Sequence, residues 1–168
     1  MITFSPESVL FDLDGTLLDT APDFIRVLNQ QRALHQLPPL EPHLIRATVS
    51  NGARALIKLA FNLSEHDEQF SERHAELLSM YERSIAEETV FFPGIDLLLK
   101  ELEARSIPWG IVTNKPSRFT LPLLDRLNLS QRSSVTVCPD DVSQTKPHPE
   151  PLFLACEQLN CSPKRSLY

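Results

Sequence analysis

A short apolar run that ends directly in two carboxylates is the feature that most restricts what this chain can fold into. Residues 8–12 read SVLFD, and Leu13-Asp14-Gly15-Thr16 follows at once. A run of that length, apolar without alternation and closed by turn residues, reads as a strand buried on both faces, the pattern of a parallel sheet. Residues two apart on a strand point the same way, so Asp12 and Asp14 face one site. Like charges that close repel, and burying either costs free energy, so something positive must compensate them. Ligands of open α/β sheets bind at the carboxyl ends of strands, which is where this pair lies, and Gly15 permits a sharp turn there. The natural compensation is a hard divalent cation held through oxygen, for which Mg²⁺ is the candidate. A calcium EF-hand does not fit. Counted from Asp12, its required Gly and Glu positions hold Leu17 and Asp23, and a strand rather than a helix precedes the loop.

Two further segments share the buried-strand pattern, PWGIVT (108–113) and SVTVCP (134–139). Helical spacing marks 94–106, 117–129 and 150–160, with Pro122 placed in the first turns of its helix. Strands alternating with helices predict an α/β fold with a Rossmann-like parallel sheet. The stretch from 21 to 90 has no strand pattern and reads as successive helices. The expected organisation is therefore a discontinuous α/β core, 1–18 and 92–168, with a helical module inserted at 19–91. SLY at 166–168 reads as the beginning of a further strand.

Composition narrows the partners. The net charge is −6 over 168 residues, so no overall basic field exists to hold nucleic acid. No run approaches the ~20 apolar residues of a membrane span. The three cysteines, Cys138, Cys156 and Cys161, fit no zinc spacing and suit a reducing compartment. With no basic or apolar leader in MITFSPES, the expected location is cytoplasmic.

FDLDGTLLDT resembles the first motif of the haloacid dehalogenase-like hydrolases, D-x-D-G-T. IVTNK resembles their second, an apolar strand ending in Thr or Ser, here Thr113. KPHPEP resembles their third, a lysine before a proline, here Lys146. A lone Thr at a strand end is usually a turn residue, and a lone Lys before Pro a solvated charge; their order behind Asp12 and Asp14 is what gives them weight. The helical module resembles a cap domain of the family. Within the family the chain is similar to the phosphoglycolate phosphatase group. DTAPDFI, NGARAL, WGIVTNKPSRF and the CPDDV to KPHPEPL stretch resemble N-acetylmuramic acid 6-phosphate phosphatases.

The resemblance implies a role for each matching residue. Asp12 is the nucleophile that takes the phosphoryl group and binds Mg²⁺ through its side chain. Asp14 is the general acid and then base, and binds the metal through its backbone carbonyl. Thr113 and the backbone near Asn114 hold phosphate oxygens, and Lys146 offsets charge on the phosphoryl group and on Asp12. The implied partner is a small phosphorylated acid or sugar acid. In the helical module, Gly52 lets backbone approach a substrate, and Arg54 either reaches a substrate carboxylate or is a surface arginine at a helix start. Lys115 and Arg118, beside Thr113, read as exposed charges that at most add positive field.

The family's fourth motif, an acidic pair commonly within G-D-x-x-x-D, has no counterpart. Asp140 and Asp141 precede Lys146 and cannot take its place. The expectation is a sequence cut from a longer protein, inactive by itself, with an open sheet edge along residues 8–12. Two alternatives stand beside the phosphatase: a phosphosugar mutase of the same family, and a catalytically incomplete binding module.

Overall fold

The computed structural model describes residues 5–168. In chain order the elements are β1 (Ser8–Phe11), β2 (Leu18–Asp19), α1 (Ala21–Leu34), α2 (Pro42–Val49), α3 (Ala53–Phe61), α4 (Phe70–Arg83), β3 (Val90–Phe91), α5 (Ile95–Ala104), β4 (Trp109–Val112), α6 (Ser117–Arg126), β5 (Val135–Val137), α7 (Glu150–Gln158) and β6 (Ser166–Leu167). They form two compact units, one of residues up to Leu18 with Phe91–Tyr168, the other Asp19–Val90.

The first unit is built on a four-stranded sheet in the order β5-β4-β1-β6. All three pairings are parallel. Val9 pairs with Trp109 and Phe11 with Ile111, while Gly110 pairs with Val135. Strand alternation then sorts the side chains. Leu10, Val112, Val135 and Val137 pack with Ala155 and Cys156 of α7 into one apolar cluster. Trp109 and Ile111 are buried in turn, and Phe11 meets Trp109 edge to face at 6.3 Å between ring centres. This is the parallel architecture that the short apolar runs predict, with strand and helix ends shifted by one to three residues. Pro122 lies inside α6, as its sixth residue.

Two details differ from expectation. Leu18–Asp19 and Val90–Phe91 pair as a two-stranded ribbon where the chain passes from one unit to the other and back. Strands of two residues carry no periodic signal, so the sequence reading of 21–90 as wholly helical misses one end of it. The β1 edge is also not fully open. Ser8 pairs with Ser166 and Val9 with Leu167. Ser8 is fully buried, and its hydroxyl lies 2.9 Å from Ser166 Oγ and 3.2 Å from Cys161 Sγ. The polar member of the apolar run is thus satisfied by residues more than 150 positions away.

The second unit is an all-helical cluster. Phe24 of α1 stacks on Tyr81 of α4 at 4.3 Å, and Ile45, Leu56, Ile57, Phe70 and Leu77 complete a buried core. Proline at an early position and Asp23 in the first turn suit the start of α1. Asp23 is fully buried and accepts hydrogen bonds from Thr89 Oγ1 (2.5 Å), Glu88 N (2.9 Å) and Arg26 (2.9 Å). It ties the first helix of the unit to the segment that leaves it. Arg32 bonds the carbonyls of Pro38 and Ala60 in the same unit.

Gly110 controls how closely β4 lies against its neighbours. A Cβ there would fall 2.3 Å from Val135 Cγ1, 2.9 Å from Val135 O and 3.2 Å from Leu10 Cδ2. Gly110→Ala must push β5 away or force Val135 from its rotamer, and a loss of about 2 kcal/mol is expected. Thermal or urea unfolding checks it; stability equal to the parent would contradict this packing.

Candidate active site

β1 and β4 both end at one edge of the sheet, and the loops that follow them and β5 carry the candidate residues. After β1 the chain turns tightly on the Leu13 carbonyl, which accepts from Leu17 N and Leu18 N at 3.1 and 3.0 Å. Gly15 takes φ +80 and donates its N–H to Leu18 O at 2.9 Å, a conformation strained for any side chain. Leu13 and Leu17 are fully buried and anchor the turn. Asp12 and Asp14 stay partly exposed, at 38% and 25% of their side chains. The backbone thereby holds both carboxylates at the sheet edge while their neighbours pay into the core.

Each carboxylate has its own ammonium. Lys146 Nζ lies 2.7 Å from Asp12 Oδ1, and also 2.7 Å from Val112 O and from the Tyr168 hydroxyl. Three donors on one ammonium are thus used. Lys115 Nζ lies 3.0 Å from Asp14 Oδ1, with its side chain only 7% exposed. Asp12 Oδ1 also accepts from Leu13 N at 2.8 Å. Among the described residues both hydrogen bonds of Asp12 fall on Oδ1.

The loop carrying Lys146 is pinned from two sides. Asn114 and the Lys146 peptide bond each other reciprocally, Nδ2 to Lys146 O at 3.0 Å and Lys146 N to Oδ1 at 3.1 Å. Glu150 accepts from Ser143 N and Gln144 N at 2.8 and 2.9 Å. Thr113 is buried, its N–H bonds Val137 O at 3.0 Å, and its Oγ1 accepts from Lys115 N at 3.0 Å. Its hydroxyl proton is left to donate.

Asp140 and Asp141 serve the backbone. Asp140 Oδ2 takes the Ser117 N–H at 2.7 Å, which holds its carboxyl below the usual range, and Asp141 Oδ2 takes the Cys138 N–H at 2.8 Å. His148 Nδ1 accepts from Glu150 N at 3.2 Å within the loop. Burial pushes the Cys138 and Cys156 thiols up. Among the described residues no group of three or more His, Cys, Asp or Glu side chains is gathered for a metal ion. No helix among them is long and apolar enough to cross a membrane.

Asp12, Asp14, Thr113, Asn114 and Lys146 therefore come together in one unit from positions as far apart in sequence as 12 and 146. Gly52 and Arg54 lie in the other unit. Gly52 precedes α3 with φ +83 and open space where a Cβ would stand. Arg54 pairs with Glu65 at 2.9 Å and is 62% exposed; Lys58 pairs with the same carboxylate at 2.6 Å. Two features escape the sequence reading. Lys115 is a buried ion-pair partner, not an exposed charge. The Asn114 side chain clamps the lysine loop, in addition to whatever its backbone does. The spacing T-N-K holds both, but spacing does not say which way a loop side chain turns. Arg118, by contrast, is exposed, with its guanidinium over the Phe119 ring at 4.4 Å.

A model of the haloacid dehalogenase-like hydrolases matches residues 9–168, and the chain belongs to that family. It is 47% identical over 162 residues to an N-acetylmuramic acid 6-phosphate phosphatase of Pseudomonas aeruginosa, covering 96% of this chain and 72% of that one. It is 36% identical over 164 residues to a phosphoglycolate phosphatase of Xanthomonas campestris, covering 97% and 73%. A crystal structure described as a predicted phosphoglycolate phosphatase from Haemophilus somnus superposes with a TM-score of 0.82 at 24% identity, over 99% of this chain and 76% of that one, and shares the fold.

Asn114→Ala removes both bonds to the Lys146 peptide. Misplacement of a charged group by a fraction of an ångström costs turnover more than binding, so a drop in kcat of about tenfold with little change in thermal stability is expected. An unchanged kcat would show that the loop holds Lys146 without Asn114.

Proposed function

We propose that the protein is a Mg²⁺-dependent phosphomonoester hydrolase working through an aspartyl-phosphate on Asp12, with a small phosphorylated sugar acid of the N-acetylmuramate 6-phosphate type as substrate. The observation that carries the reading is the pairing of two strand-end carboxylates with two separate lysines. The identity to the Pseudomonas phosphatase supports the substrate class, and 2-phosphoglycolate is the smaller acid that the Xanthomonas relative's name suggests.

A carboxylate approaching a phosphate ester meets strong repulsion, so catalysis is largely positioning plus positive charge. Asp12 Oδ1 is occupied by Lys146 and Leu13 N, and Oδ2 is the oxygen left to attack phosphorus. Lys146 lies where it offsets charge on Asp12 and on the incoming phosphoryl group. Thr113 donates its hydroxyl proton to a phosphoryl oxygen. Asp14 protonates the leaving alkoxide, then takes a proton from the water that cleaves the acyl phosphate, releasing phosphate and restoring Asp12. The donors suit Mg²⁺: the Asp12 carboxylate and the Asp14 carbonyl are hard oxygens, and this ion commonly takes one or two carboxylates with waters and substrate oxygens. Bound there, it would add positive charge beside the phosphoryl oxygens.

In the helical unit, Arg54 is the candidate for the substrate carboxylate, which would displace Glu65 from the guanidinium. Arg54→Ala should then raise KM more for a carboxylated substrate than for a sugar phosphate without the carboxylate. Equal changes for the two would remove Arg54 from recognition.

Asp12→Asn should lower turnover by about 10⁴-fold or more, because the attacking charge is lost. Activity within tenfold of the parent would overturn the nucleophile assignment. Release of inorganic phosphate from a panel of phosphorylated sugars and acids tests the reaction class. Net release supports hydrolysis, and transfer to a second sugar hydroxyl without release would make the protein a mutase.

A further inference from the structure

The lysine after Thr-Asn has no assigned part in the reaction above, yet its surroundings are built with some care. Lys115 keeps a four-carbon stem almost wholly out of water, at 7% exposure, which for so flexible and well hydrated a side chain costs conformational freedom and solvation. Its backbone is fixed at both ends of the peptide. The N–H bonds Thr113 Oγ1 at 3.0 Å, and the carbonyl accepts from Thr120 Oγ1 at 3.0 Å. Thr113 and Thr120 are themselves buried, so the anchor points are rigid. The ammonium that results lies 3.0 Å from Asp14 Oδ1. Lys146, the other cation of the site, is committed to Asp12, Val112 O and Tyr168.

We propose that Lys115 is a positioning residue for Asp14, holding its carboxylate in the orientation from which it exchanges a proton with the leaving group. The proposal rests on the phosphatase reading and adds a part to it. The physical reason is repulsion: Asp12 and Asp14 stand two residues apart just after β1, and without the Lys115 ammonium the Asp14 carboxylate is driven away from Asp12 towards solvent. An acid that has swung outward no longer reaches the leaving oxygen, and proton transfer needs heavy atoms within hydrogen-bond distance. Lys115 acts through Asp14, so its removal should matter only where Asp14 matters.

The test is a double-mutant cycle in the full-length protein, with Lys115→Met, Lys115→Arg, Asp14→Asn and the double variant Lys115→Met/Asp14→Asn. The phosphorylation step is measured in single turnover on two esters, an alkyl sugar phosphate, whose leaving group needs a proton, and an activated aryl phosphate, whose leaving group does not. Lys115→Met should slow the alkyl ester about 30-fold and the aryl ester less than threefold, with KM within twofold for both. Lys115→Arg, which keeps the charge, should recover at least tenfold of the alkyl loss. In the double variant the alkyl rate should equal that of Asp14→Asn alone, because the two residues act as one unit. Losses that multiply in the double variant, equal losses on both esters, or a raised KM with unchanged rate would each overturn the proposal; the last would make Lys115 a substrate contact. A parent that hydrolyses neither ester overturns the phosphatase reading itself, whereas an active parent matched by Lys115→Met overturns only the part given to Lys115. Lys115→Arg, with its thermal unfolding, guards against a folding defect in the Met variant: a folded Arg variant with no recovery also counts against the idea.

Discussion

Two carboxylates held side by side at the end of a buried strand are the constraint that the rest of the core unit answers. The backbone does not let Asp12 and Asp14 leave the end of β1, because the turn that begins at Leu13 is fixed by its carbonyl and by Gly15 in a left-handed conformation. They cannot sink into the core either, since an unpaired buried charge is far more costly than the fold could bear. The solution is one ammonium for each, Lys146 on Asp12 and Lys115 on Asp14. A metal ion and an anionic substrate would then enter a site whose charges are already arranged, which is the condition for electrostatic catalysis without reorganisation.

The fold supplies those lysines from neighbouring strand ends. β4 lies directly beside β1, and β5 beside β4, so the loops after all three open at one edge of the sheet. Lys115 follows β4 by three residues. Lys146 stands in the longer connection between β5 and α7, where the short 3-10 turn Pro139–Asp141 ends too early to hold it. Asn114 and Glu150 do that work instead, binding the loop's backbone at Lys146, Ser143 and Gln144. Asp140 and Asp141, the acids that precede the lysine in this connection, are taken up by the backbone around the start of α6 and the end of β5. The site's carboxylates and the loop's carboxylates therefore have different tasks, although composition alone does not separate them.

Much of this was legible in the sequence because its strongest signals are local. Apolar runs without alternation mark β1, β4 and β5, and residue order places Asp12, Thr113 and Lys146 behind them. What was not legible depends on long-range partners. Ser8 looks like a polar blemish in an apolar run until Ser166 and Cys161 are brought beside it. SLY reads as the start of a strand, but the pattern does not name its neighbour, and Ser166 and Leu167 pair with Ser8 and Val9 of β1. Lys115 reads as a solvated loop charge because nothing in T-N-K tells that Asp14, 101 residues earlier, receives its ammonium. The two-residue ribbon of β2 and β3 leaves no periodic trace at all. Each omission is a side-chain direction or a pairing set by residues distant in sequence, where local propensity has little to say.

The proposed reaction stands or falls on Asp12 as the carrier of the phosphoryl group. It is tested most directly by mixing the full-length protein with its phosphorylated substrate and Mg²⁺, quenching in acid during turnover, and mapping the modified peptide by mass spectrometry. A phosphoryl group on Asp12 is expected, present in the parent and absent in Asp12→Asn. Turnover with the phosphoryl group on another side chain would contradict it.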